Sequence, residues 1–284
     1  MEHVFRLTLA CPDRVGIVAR VSNFLAQYNG TITEANQHAD LQEGWFFLRN
    51  EIRADSLPFN IETFRQAFAP IADDLQMTWD VHDSQTRRKV VLLASKDNHC
   101  LADLLNRWHG GDLDCDIPCV IANHDHLRGL VEWHGIPFHH VPVDPANKAV
   151  HFDRVAELVE AAGADTLVLA RYMQILPASF CARWPQRIIN IHHSFLPSFI
   201  GARPYHQAFE RGVKLIGATC HYVTDDLDAG PIIDQDVTRV SHRDDVSEMI
   251  RRGKDVERAV LARGLRWHLE DRVLVHGNKT VVFE

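Results

Sequence analysis

Three side chains of complementary chemistry lie in the second half of this 284-residue chain. Asn190 and His192 stand one residue apart at the end of the β-branched run Arg187–His192. Asp228 follows a second apolar run, Leu215–Val223, inside the polar turn 224–231. An amide, an imidazole and a carboxylate are the parts that acyl transfer needs: a donor for the oxyanion, a carrier for the proton and an acid that orients the carrier. Singly, each has an ordinary structural use. Asn caps turns, a buried His bonds a backbone carbonyl, and Asp-x-Gly makes a tight turn. Their joint occurrence at two strand ends points to chemistry.

Side chains placed this way need strands that end together. From residue 89 onward the apolar pattern alternates between strands and helices: strand Lys89–Ser95, helix around Leu101–Leu105, strand Ile117–Ala122, helix near Leu127–His134, strand Phe138–Val143, helix Phe152–Ala162 and strand Thr166–Ala170. Such alternation predicts a parallel α/β sheet with crossover helices, whose ligand site lies off the carboxyl ends of the strands. A charged helix is expected over Asp244–Leu269. Beyond it, the apolar runs around Gly277-Asn278 predict a hairpin.

Residues 4–82 read differently, as strand, helix, strand, strand, helix, strand, which is the order of a ferredoxin-like βαββαβ sandwich. In the first helix Asp13 is the expected N-cap, Val18, Val21, Leu25 and Tyr28 the apolar stripe, and Gly30 the stop. The polar segment His82–Arg88 marks a boundary. The expected division is therefore residues 1–82, a linker at 83–88, and a second domain over 89–284.

The order of Asn190-x-His192, the His193-Ser194-Phe195-Leu196-Pro197 loop, and the run from His221 through Thr224, Asp228, Gly230 and Pro231 to Gln235 resembles the folate-dependent formyltransferase family. The likeness extends upstream to Leu169–Leu176. It implies a Rossmann-like, mostly parallel-sheet catalytic domain in which Asn190, His192 and Asp228 perform the chemistry. It also implies that Arg171, Met173, Ile175, Leu176, Thr224, Asp225 and Asp226 hold the folate. In the N-terminal part, Cys11–Val18, Asn29-Gly30 and Glu34–His38 resemble an ACT domain, a regulatory module that binds amino acids. That likeness implies an effector site at Asp13, Arg14, Val15, Gly16, Asn29 and Gly30, with methionine and glycine as first ligands to try, and a homo-oligomer.

Transfer to an amine and hydrolysis by water differ in what the first loop of the catalytic domain must hold. A ribonucleotide acceptor carries a phosphate, which a glycine-rich turn at a helix N-terminus binds through backbone N–H groups. The loop here, Ser95-Lys96-Asp97-Asn98-His99-Cys100-Leu101, has no glycine and contains an acid. Water then becomes the nucleophile. The whole chain is similar to the hydrolytic branch of the family, which implies cleavage of 10-formyltetrahydrofolate to tetrahydrofolate and formate, balancing one-carbon pools and supplying formate for purine synthesis. Folate is then substrate and product, and no separate cofactor is expected. The alternatives are a formyltransferase with an amine acceptor, or an inactive folate and amino-acid sensor. His193 stands where amine-formylating relatives usually carry proline.

Composition sets outer bounds. A formal net charge of -8 argues against nucleic-acid or anionic-membrane partners, and 46% apolar residues suffice for two cores. No secretory signal or run of about 20 apolar residues is seen. The six scattered cysteines fit reduced thiols in the cytoplasm. His193, His206, His221 and the Cys115/Cys119 pair lack the spacing of a zinc site, so no metal is expected.

Overall fold

The computed structural model describes residues 3–198 and 204–284. Its contacts divide the chain into two compact units, one comprising the chain up to Arg87 together with Glu270–Glu284, the other Arg88–Leu269. No helix among the described residues is long and apolar enough to cross a membrane.

The first unit contains β1 (Val4–Pro12), α1 (Ile17–Gln27), β2 (Ile32–Asp40), β3 (Trp45–Arg53), α2 (Ile61–Asp74) and β4 (Thr78–Asp83), with the antiparallel strand order β2-β3-β1-β4 of a ferredoxin-like sandwich. The expected N-cap is not used. Helix α1 starts after Gly16, which sits at φ 97° with no side-chain cap, while the Asp13 N–H bonds to the Gly44 carbonyl at 2.8 Å. The buried stripe is Ile17, Val21, Phe24 and Leu25, and Val18 is 40% exposed. Asn29, at φ 58°, rather than Gly30, takes the left-handed position that ends the helix.

The division of the chain also needs correcting at its end. The final hairpin belongs with the first unit, not with the second. Strand β3 is buried through Phe46–Asn50 without the one-sided alternation of a solvated sheet. Phe46, Leu48 and Ile52 face the helices, whereas Phe47 packs with Ala10, Leu274 and Phe283. Trp45 lies against His276 with ring centroids 4.2 Å apart. Between these apolar contacts the Arg49 guanidinium, wholly buried, pairs with Glu34 at 3.2 Å and with Glu51, and donates to the Glu270 carbonyl at 2.9 Å. A buried cation is tolerated only with such partners, so the charge fixes where residue 270 must lie.

The second unit runs β5 (Arg88–Ala94), α3 (His99–His109), β6 (Cys115–Asp116), β7 (Val120–Ala122), α4 (Arg128–Trp133), β8 (Phe138–His140), α5 (Lys148–Ala162), β9 (Thr166–Ala170), α6 (Ala178–Cys181), β10 (Ile188–His192), α7 (Pro204–Glu210), β11 (Leu215–Tyr222), β12 (Ile232–Arg239) and α8 (Val246–Leu269). The hairpin of the first unit follows as β13 (Val273–His276) and β14 (Lys279–Val282). The main sheet has the order β12-β11-β10-β9-β5-β7-β8, with β6 paired to β5. Strands β8, β7, β5, β9 and β10 are parallel, and β11 and β12 turn back antiparallel. From β5 the chain builds outward through β7 and β8, then returns to place β9 on the other side of β5. That reversal makes a switch point between β5 and β9, where open α/β sheets bind ligands.

The 24-residue helix α8 crosses this sheet closely. At Gly253 a Cβ would lie 2.0 Å from the Tyr205 hydroxyl, so any larger residue would have to displace the Tyr205 ring that α7 packs against α8. Near its end, His268 accepts or donates hydrogen bonds with Thr166 at 3.0 Å and Tyr222 at 2.8 Å, tying α8 to β9 and β11. Burial pushes its imidazole down to about 3. Since the folded value lies below the unfolded one, the unfolded chain takes up the extra proton, and stability falls as pH drops from about 6.5 toward 3. We predict that chemical denaturation of His268→Gln, compared with the parent at pH 7 and pH 4.5, gives a loss on acidification smaller by about 2 kcal/mol. An equal loss in both proteins would remove His268 from the acid response.

Candidate active site

The site is built from the ends of β9 and β10 and the loop after β11. In β10, alternation sends Ile189 and Ile191 to the core and turns Asn190 and His192 to the other side. The antiparallel register sets Asn190 opposite His221 and His192 opposite Thr219. Beyond β11 the turn brings Asp228 back over the strand end. Gly230 makes this possible: a Cβ there would lie 1.9 Å from the Tyr222 carbonyl oxygen. Asp228 itself adopts φ 55°, a left-handed conformation that Asp tolerates better than most residues.

The result is a convergence of the three expected residues. Asp228 Oδ2 lies 3.3 Å from His192 Nδ1, with both side chains largely buried. The His192 contact holds the Asp228 carboxyl below its usual range against the opposing effect of burial. With Nδ1 so engaged, His192 Nε2 is left buried and without a hydrogen-bond partner among the described residues. It is the atom that remains to exchange a proton with a substrate in the cavity.

His221, which the sequence suggested only as one of several histidines, completes the arrangement. Its Nδ1 lies 2.9 Å from the Tyr222 carbonyl and so carries the proton, leaving the Nε2 lone pair to accept from Asn190 Nδ2 at 3.1 Å. Burial lowers the His221 pKa and keeps the ring neutral, so this polarity is stable. One amide hydrogen of Asn190 is thereby fixed on His221, and the other is left for an oxyanion. His193, pushed down to about 4 by burial with the nearby Arg171 charge acting in the same direction, is also neutral at physiological pH.

A cavity of about 400 Å³ opens over these groups. The structure brings every residue expected to hold folate to its wall: Arg171, Met173, Ile175 and Leu176 from the loop after β9, Thr224, Asp225 and Asp226 from the loop after β11. Met173 and Ile175 are 56% and 69% exposed, and Leu227 beside them 59%. Apolar side chains left open around a polar centre suit a flat, partly apolar ligand.

Arg171 is held unlike its neighbours. At φ 61° it is a bulky residue in the left-handed region. Its guanidinium reaches Asp97 at 3.1 Å and Glu257 at 3.5 Å. Glu257, on α8, is itself buried and bonded to His99 at 2.8 Å and to the Tyr205 hydroxyl at 2.7 Å. Sequence reading treated α8 as a charged helix and missed Glu257. The available signal was Gly253, one turn earlier on the same face, which marks that face as closely packed.

Among the described residues one set of potential metal ligands clusters, His99, Cys100 and Glu257, with ligand atoms within 4.8 Å of one another. Its chemistry is wrong for a cation. His99 and Glu257 already bond to each other, Arg171 adds a positive charge beside the carboxylate, and burial raises the Cys100 thiol far from its deprotonated form. Among the described residues His193, His206 and His221 form no such cluster.

The six residues expected to form an effector site are not brought together. The Asp13–Gly16 turn precedes α1 and the Asn29-Gly30 turn follows it, and the 11 residues between them rise about 16 Å. Both turns are solvent-facing for the most part, and nothing lies within 4 Å of a Cβ built on Gly16.

Removing either the carboxylate or the group that aims the amide separates these roles. Asp228→Asn is expected to fold but to lose at least about a hundredfold in kcat. His221→Phe, which frees the Asn190 amide to rotate, is expected to lose about tenfold in kcat with KM little changed. Steady-state kinetics on the two variants checks both, and parental kcat in Asp228→Asn would exclude that carboxylate from the chemistry.

Comparison with known proteins agrees with this architecture. A family model described as formyl transferase matches residues 88–265. The chain is 48% identical to a formyltetrahydrofolate deformylase of Synechocystis over 98% of its own length and 97% of the relative's. The crystal structure of a formyltetrahydrofolate deformylase from Pseudomonas syringae pv. tomato superposes with a TM-score of 0.99 at 65% identity, covering 100% of this chain and 95% of that one. A glycinamide ribonucleotide transformylase from Symbiobacterium toebii matches at a TM-score of 0.65 and 30% identity, over 70% of this chain and 95% of its own. The chain thus belongs to the formyl transferase family and, within it, groups along its whole length with the formyltetrahydrofolate deformylases.

Proposed function

We propose that this protein hydrolyses 10-formyltetrahydrofolate to tetrahydrofolate and formate. The observation that carries this reading is the convergence of Asn190, His192 and Asp228 beneath the cavity, with His192 Nε2 unpartnered and Asp228 3.3 Å from Nδ1. Full-length similarity to deformylases supports water as the acceptor.

In this mechanism Asp228, ionised because its pKa is lowered, accepts a hydrogen bond from water and then a proton as the water oxygen adds to the formyl carbon. Negative charge developing on the formyl oxygen rests on the second Asn190 amide hydrogen and on Nε2–H of protonated His192. One such fixed donor contributes about 3 to 4 kcal/mol. The carbon–nitrogen bond breaks as His192 passes its Nε2 proton to the folate nitrogen, leaving a neutral ring whose Nδ1–H still faces Asp228. Loss of the Asp228 proton to solvent and uptake of a proton at Nε2 restore the starting state. Water supplies the hydroxyl of formic acid and, in balance, the proton on tetrahydrofolate. Folate is substrate and product, and the scheme requires neither a separate cofactor nor a metal.

We further propose that the first unit senses a small amino acid, methionine or glycine, at the exposed Asp13–Gly16 turn, where no side chain caps the start of α1. The Asn29-Gly30 turn, about 16 Å away in the same chain, could reach that ligand only from a second copy, which favours a homo-oligomer. The reaction supplies formate for purine synthesis and balances one-carbon folate pools, and it belongs in the cytoplasm.

Incubation of the full chain with 10-formyltetrahydrofolate and no amine tests the main reading. Formate and tetrahydrofolate are expected to accumulate in equal amounts, at a rate unaffected by prior dialysis against a strong chelator. Turnover that depends on an added amine would contradict hydrolysis, and activity restored only by stoichiometric zinc would contradict the metal-free scheme. Methionine or glycine is expected to change the rate severalfold, the usual scale of coupling between sites. Calorimetry detecting no binding of either would set the effector assignment aside.

A further inference from the structure

The crevice between the ends of β5 and β9 is where a doubly wound sheet offers room for a ligand, and here it is laced by side chains. Ser95 Oγ, just past β5, accepts from the Met173 N–H at 2.9 Å. Asp97, two residues on, accepts from Arg171 Nη2 at 3.1 Å and from Nε at 3.3 Å, and the same Nε lies 3.5 Å from Glu257. Glu257 has no freedom to withdraw, because His99 and Tyr205 hold its two oxygens at 2.8 and 2.7 Å.

The backbone at Arg171 indicates that its side chain is what the site requires. A residue at φ 61° is strained unless it is glycine, and the strain persists only where the surroundings impose it. Two carboxylates, one of them buried, supply that imposition. Arg171 also borders the cavity that contains His192, His193 and Asp228.

We propose that the Arg171–Asp97–Glu257 clamp fills the crevice through which a second organic substrate would reach the formyl carbon, and so reserves the reaction for water. Arg171 is then a specificity-determining residue. The inference rests on the hydrolytic reading above. With the clamp closed, the carbon–nitrogen bond to folate is exchanged for a carbon–oxygen bond to water. With it opened, the nitrogen of a small neutral amine is able to form the new bond instead, losing a proton to Asp228 while His192 protonates the folate nitrogen as before.

The test measures partition, not rate alone. The parent, Arg171→Gly and Asp97→Ala are each given 10-formyltetrahydrofolate with and without glycinamide, a small primary amine, and formate and formylglycinamide are quantified by mass spectrometry against an enzyme-free control. The parent is expected to make formate in both conditions and no formylglycinamide above the control. Arg171→Gly, which relieves the backbone and empties the crevice, is expected to raise the ratio of formylglycinamide to formate at least about tenfold. Asp97→Ala, which removes one of the two carboxylates holding the guanidinium without altering the strained backbone, should raise it in the same direction by about threefold. Should Arg171→Gly fail to fold, Asp97→Ala decides. Formate production with an unchanged ratio in the folded variants overturns the clamp, as does ready formylation of glycinamide by the parent. Absence of formate from the parent without amine would instead overturn hydrolysis itself.

Discussion

The contact on which the site depends is the one between Asp228 and His192, two groups that are nearly buried and would be costly to bury apart. A carboxylate in this position is stable because an imidazole lies 3.3 Å away, and the same contact fixes which imidazole nitrogen faces the cavity. Everything around it serves to bring a loop carboxylate back to a strand-end histidine. β11 must run antiparallel to β10, Asp228 must accept a left-handed backbone, and Gly230 must let the loop pass against Tyr222. A side chain at residue 230 would displace the loop and with it the acid.

Around that pair the protein uses neutral histidines as rigid polar parts. His221 is buried and neutral, and therefore aims the Asn190 amide. His268, held near 3, fastens the last turn of α8 beneath β9 and β11. Among the described residues the buried charges have compensating partners: Glu257 has His99, Tyr205 and Arg171, and Asp244 has Arg252, in the second unit, and Arg49 has Glu34, Glu51 and the Glu270 carbonyl in the first. Breaking one partner in such a cluster leaves an uncompensated buried ion, which is strongly destabilising.

What could be read from sequence follows from how local each feature is. Asn190 and His192 lie on one strand, and alternation alone sends them the same way. The run ending at Gly230-Pro231 places Asp228 in a turn whatever the fold. The parallel sheet is legible in the alternation of apolar segments, and the ferredoxin-like unit in its order of elements. Features that depend on pairing across the sheet were not legible: His221 matters because the register puts it opposite Asn190, and Glu257 because α8 carries it to α3 and α7. Asp13 failed as a cap because Gly16 delays the helix, which a reading by residue preference does not foresee. The final hairpin was assigned by its position in the chain. Its true partner was foreshadowed in Trp45-Phe46-Phe47-Leu48, where both faces of one strand are apolar and therefore both must be covered. The separation of the 13–16 and 29–30 turns could have been obtained from helix length alone.

If Asp228 and His192 act as one proton-handling unit, their contributions cannot be independent. The most direct measurement is a double-mutant cycle on kcat with Asp228→Asn, His192→Ala and the combination, all in the same buffer and with folding verified. The account predicts that the double variant is barely slower than the worse single one, because either change disables the same unit. Losses that multiply, so that the double variant is slower by the product of the two single effects, would contradict it and assign the residues to separate steps.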